Sequence, residues 1–152
     1  MERTEQALHR LMSDDEAFQA EAEGDVRING NDLIQDMHVF PDIHLRWLSI
    51  LALAEDMAFS LKNHLATVKA DSATRWRTIA NTGPKMTEAA IAEKVATDPA
   101  VLGVQDEHSA AVARVNRLKA VEQSLSDKKD LLQSINARQC REFAVMNLSS
   151  RT

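Results

Sequence analysis

The chain of 152 residues has room for one domain and a short arm, and its 44% apolar and 27% charged residues suit a folded protein rather than a disordered one. Four Gly, three Pro, no Tyr and 4% aromatics, beside abundant Ala and Leu, argue against a sheet, because strands draw on aromatic and β-branched residues. No apolar run reaches the roughly 20 residues that cross a bilayer, and residues 1–5 are charged where a signal peptide would need apolar residues soon after.

A single cysteine, Cys140, excludes an intrachain disulfide. No membrane and a reduced, cytoplasmic setting are expected. The net charge of −5 is unevenly spread. Residues 1–40 hold ten acids and three bases, whereas 41–152 hold thirteen acids and fifteen bases. Between 62 and 85 stand five bases (Lys62, Lys69, Arg75, Arg77, Lys85) against Asp71 alone. The first forty residues would repel a phosphate backbone, and the middle segment could accept one.

Residues 2–22 carry a weak helical stripe of Ala7, Leu8, Leu11, Met12, Phe18 and Ala22, with a break or new cap at Ser13-Asp14-Asp15-Glu16. The segment 24–31 contains Gly24, Asn29, Gly30 and Asn31 and reads as a turn or linker. A short helix over 32–39 is expected to end before Pro41. From Asp42, a candidate N-cap, apolar residues recur at Trp47, Ile50, Leu51, Ala54, Met57, Ala58, Leu61, Leu65, Val68, Trp76 and Ile79, mostly in steps of three and four and broken only at Ser72. This pattern predicts one long helix to about residue 80, stopped by Asn81-Thr82-Gly83-Pro84.

Thr87 caps a short helix over 88–96, and Asp98-Pro99 opens another as N-cap and first helical residue. From Pro99 to about Met146 no proline interrupts, and Val104, Ala111, Leu118, Leu125 and Leu132 repeat every seven residues, as in a coiled-coil seam. The expected fold is therefore all-α, a long antiparallel helical hairpin over 41–146. An acidic N-terminal helical arm and linker occupies 1–40, and a flexible tail 147–152. The apolar stripes, widened by Val112, Val121 and Ile135, exceed what two helices cover. Either the N-terminal helix folds back as a third core helix or other subunits cover the rest; a homo-oligomer is the favoured expectation.

Catalytic signatures are missing: no Gly-rich phosphate loop, CxxC, HExxH or GxSxG occurs. A non-enzymatic protein without cofactor is expected. His38, Asp42 and His44 cluster around Pro41, but a three-ligand site without a second cluster is unusual, so polar histidines are expected there and no metal. Asp14-Asp15-Glu16 falls in a predicted first turn, where acids complement the helix dipole, and neither it nor Asp106-Glu107 is expected to do acid–base work. Arg75-Trp76-Arg77 is more informative. Cations flanking an aromatic can neutralise phosphates while the indole stacks on any base. Trp76 also lies in register with Leu65, Val68 and Ile79, which favours a core role for it, with Arg75 and Arg77 as solvated flanks. Lys128-Lys129 with Arg138 and Arg141 forms a second basic run, expected as a solvated helix face.

The run Lys85-Met86-Thr87-Glu88-Ala89-Ala90-Ile91, the helix start Asp98-Pro99-Ala100-Val101, and the later Leu118-Lys119-Ala120-Val121 and Leu125-Ser126-Asp127-Lys128-Lys129-Asp130-Leu131-Leu132 resemble the UvsY-like family of phage recombination mediators. The likeness covers residues 85–143, and its motifs are mostly helix punctuation. It implies an all-helical, ring-forming homo-oligomer without a catalytic site. Such a protein binds single-stranded DNA, displaces single-strand-binding protein and loads a RecA-like recombinase in DNA recombination and repair. The family's basic cluster corresponds here to 62–77, with Lys62, Lys69, Arg75 and Arg77; together with Trp76 and the neighbouring Lys85 these are the expected DNA-binding residues. The chain departs from the family in spreading these bases out and in its acidic residues 1–40. The competing expectation is a structural helical oligomer, a virion, scaffold or chaperone component without nucleic-acid affinity.

Overall fold

The computed structural model describes residues 14–30 and 32–149. Four helices and no strand occur among these residues: α1 (Asp15–Val26), α2 (Leu33–Thr82), α3 (Glu88–Ala96) and α4 (Pro99–Ser149). The all-α expectation holds, with long helices packed against each other. The stripe Ala7 to Met12 lies outside the described residues. Contacts divide the chain into two units, one of residues 1–51 with 117–152 and the other of 52–116. The long helices α2 and α4 each contribute to both.

In the first unit, α1 begins where acids and caps predict it. The Asp14 carboxylate accepts the free N–H groups of Glu16 and Ala17, both at 3.0 Å. The helix then runs through Gly24, where composition predicts a linker, to Val26. Tertiary contacts outweigh the glycine's weak helix propensity of about 1 kcal/mol. The buried indole of Trp47 donates to Asp25 at 2.8 Å, Arg46 pairs with Asp25 and with Glu21, and Phe18 meets the Trp47 ring edge-on at 5.7 Å.

Pro41 also departs from expectation, because α2 continues through it instead of starting afresh at Asp42. Proline removes one helical hydrogen bond and costs about 3 kcal/mol in a helix interior. Burial of Phe40, Trp47 and Ile50 along the opposite side of the same helix compensates, each large apolar side chain contributing roughly 1.5–3 kcal/mol. Pro41 itself stays exposed.

The heptad seam of α4 is buried as its spacing predicts, with Leu118, Leu125 and Leu132 all under 5% exposed. Pairs between His44 and Glu122 and between Asp36 and Lys128 run in opposite order along α2 and α4, so the two helices are antiparallel in this unit. Lys128 corrects the expectation of a solvated basic face. It is only 4% exposed and sits in the seam between Leu125 and Leu132. Its ammonium donates to the Asp25 carbonyl at 3.0 Å, the Arg27 carbonyl at 2.8 Å and the Asp36 carboxylate at 3.3 Å. Three acceptors match its three protons, and two of them are carbonyls at the C-terminal end of α1, where a cation is favoured.

The second unit has a smaller core of Ala54, Ile91, Val101, Ala111 and Val115. Both predicted caps form: Thr87 Oγ1 accepts from Ala90 N at 3.2 Å, and Asp98 Oδ1 accepts from Ala100 N at 3.0 Å. Ser72, the break in the apolar stripe, is fully buried and donates to Asp98 Oδ2 at 2.5 Å. The interruption is thus a polar pin fastening α2 to the start of α4.

Candidate nucleic-acid interface

All the sequence-predicted residues lie in the second unit, five of them on α2 and Lys85 in the turn before α3. At 100° per residue, Lys62 and Lys69 share one helical face about 10 Å apart, and Ala73 and Arg77 continue it. Lys62, Lys69 and Lys85 are exposed and make no ion pair among the described residues. Both lysines on α2 therefore project strong, unneutralised positive charge into solvent.

The two arginines differ from them. Arg77 grips Glu88 at the start of α3 with two donors, Nη2 to Oε2 at 2.9 Å and Nε to Oε1 at 3.3 Å. This fork holds the Glu88 carboxyl below its usual range, chiefly through the hydrogen bond and then through the charge of Arg77. Arg77 is raised by the same contacts. Both groups are more than half exposed, so water competes for the pair. Arg75 points to the other side of α2, 3.8 Å from Asp98 Oδ2 and 60% exposed. Asp98 is held below its ordinary range first by the Ser72 hydroxyl, then by the Ala100 N–H, with Arg75 a lesser cause and burial opposing them.

Trp76 is half-buried, and its indole N–H is enclosed without an acceptor. One face of its ring is taken by Lys94 of α3, whose Nζ lies 5.6 Å from the ring centroid. One ring face is thus occupied from within the same unit. Lys94 is an exposed cation outside the sequence-predicted set, since nothing in the pattern of α3 indicates which side faces Trp76.

Lys69, Ala73 and Arg77 form one wall of a shallow groove of 460 Å³. Glu88, Ile91 and Val95 of α3 line the opposite side. The groove holds Lys69 and the Arg77–Glu88 pair above an apolar floor, so Lys69 is its one cation without an ion-pair partner among the described residues. No group of three or more His, Cys, Asp or Glu close enough to hold a metal occurs among the described residues. His44 faces Glu122 at 3.7 Å. Among the described residues no helix is long and apolar enough to cross a membrane. No family model matches the chain, and comparison with curated proteins and with solved structures finds no match.

Proposed function

We propose that this chain is a non-catalytic recombination mediator that binds single-stranded DNA along 62–85 and helps to load a RecA-like recombinase in place of single-strand-binding protein. The observation that carries the reading is the set of exposed cations on one unit: Lys62, Lys69 and Lys85 unpaired among the described residues, Arg77 paired with the exposed Glu88, and Arg75 itself 60% exposed, 3.8 Å from the nearly buried Asp98. A phosphate displaces the exposed Glu88 carboxylate from Arg77 at little cost, because an exposed ion pair is worth about 0–1 kcal/mol. In this reading the cations contact the backbone, and Trp76 fixes the position of α3 beneath them. Binding is then independent of base sequence. The UvsY-like resemblance over 85–143 supplies the biological role.

Anisotropy titration of a labelled oligo-dT tests this directly. Five phosphate contacts, each adding about 0.7 to the salt exponent, weaken binding roughly 100-fold between ~50 and ~200 mM salt. Replacing Lys62 and Lys69 by Glu should lower affinity and flatten that slope. The second reading, a structural helical oligomer, is favoured by an exposed apolar face on the first unit. Folded protein that fails to bind oligo-dT at ~50 mM salt would leave that reading in place of the mediator.

A further inference from the structure

Along the first unit's part of α2, one side of the helix is apolar yet uncovered. Ile34 is 71% exposed, Met37 37%, Leu45 65% and Leu48 40%, and exposed Pro41 lies among them. At 100° per residue these five positions fall within about 80° of one another and extend over about 21 Å. Isolated exposed apolar residues are ordinary, but a contiguous stripe marks an interaction surface.

Its spacing reads three, four, four, three, which is the same in both directions from Pro41. We propose that this face pairs with the same face of a second copy of the chain, antiparallel about a two-fold axis at Pro41. An isologous contact requires residue i to meet j while j meets i. The symmetric spacing satisfies that condition, setting Ile34 opposite Leu48 and Met37 opposite Leu45, with each pair occurring twice. A stripe without this symmetry would place apolar residues against polar ones on one half of the contact.

Charge supports the same occupant. His38 and Asp42 are both exposed and lie on one flank of the stripe. A two-fold perpendicular to antiparallel helices brings like flanks together, so each His38 comes within about 3 Å along the axis of the other copy's Asp42. The imidazole N–H can then donate to the carboxylate at both ends of the contact. On the other flank, Met37, Phe40, Leu45 and Leu48 join Leu132 of α4 around an open hollow of 390 Å³, a receptacle for side chains of the facing stripe. Pro41 at the axis is compact, which permits close approach of the two helices.

The arrangement does not depend on DNA binding. Its test is a cross-link, with Cys140 first replaced by Ser. Ile34→Cys together with Leu48→Cys should give a disulfide-linked dimer on mild oxidation, while Ile34→Cys alone should not, because residue 34 faces residue 48. In parallel, Ile34→Glu with Leu45→Glu should reduce the mass in sedimentation from dimer or higher to monomer, with the helical circular-dichroism signal retained, since both positions are exposed. The proposal is overturned by a monomeric unsubstituted chain at micromolar concentration. Cross-linking through Ile34→Cys alone, failure of the double variant to cross-link, or an oligomer that survives the Glu pair would overturn it as well.

Discussion

The two units are built from segments of the same two long helices, yet they are held by different means. The first packs large side chains around buried polar anchors: Trp47 with its indole on Asp25, and Lys128 on the end of α1. The second packs small side chains and secures itself with caps, a buried serine and surface ion pairs. A buried charge can be kept only where every proton finds an acceptor, so the first unit tolerates little change at its anchors. Exposed pairs and caps are each worth about 1 kcal/mol or less, so the second unit spreads its stability over many replaceable contacts. That difference leaves the second unit's charged surface free to vary with a ligand.

The sharpest way to break this comparison is Lys128→Met. It removes the ammonium while leaving Asp36 Oδ1 and the Asp25 and Arg27 carbonyls without that donor, and a loss of about 3–5 kcal/mol is expected in urea unfolding. Lys69→Met, on the exposed face of the second unit, should stay within about 0.5 kcal/mol. Similar values for the two would show that the buried anchor contributes no more than a surface lysine. Next in size is Thr87→Ala, which deletes the cap of α3 and should cost about 1 kcal/mol. Hydrogen exchange should then quicken first in 88–96, and unchanged protection there would count against the cap as the helix's anchor.

The smallest effect is on acid behaviour. The folded-state pKa of Asp98 lies below its unfolded value of about 3.9. Its contribution is therefore complete above that value and is lost as pH falls through the still lower folded value. Ser72→Ala removes the largest cause of the shift, so the Asp98 carboxyl should titrate at higher pH by NMR and the acid transition should lose that component. An unmoved Asp98 titration would mean that the Ala100 N–H and Arg75 suffice.

Much of the helical framework is legible in the order of residues. Thr87 and Asp98-Pro99 announce their helices because a cap acts on N–H groups only two or three residues away. Leu118, Leu125 and Leu132 announce burial because a seven-residue repeat returns to one face of a helix. For the candidate interface, five cations can be read onto one segment, but their partners cannot. That Arg77 meets Glu88 and that Lys94 covers Trp76 depend on how the turn over 83–87 sets α3 against α2. No local pattern encodes that.

Local chemistry and periodicity thus determined the helical class, the long helices and their caps, since these rest on interactions within a turn or two of the chain. Tertiary structure alone decided the fate of Gly24, Pro41, Ser72 and Lys128. Gly24 and Pro41 remain helical because Asp25, Phe40 and Trp47 are held by distant partners, which outweighs a local propensity of a few kcal/mol. Lys128 is buried because α1 ends beside it, about a hundred residues away in the chain, and offers carbonyls that no window of sequence around residue 128 reveals.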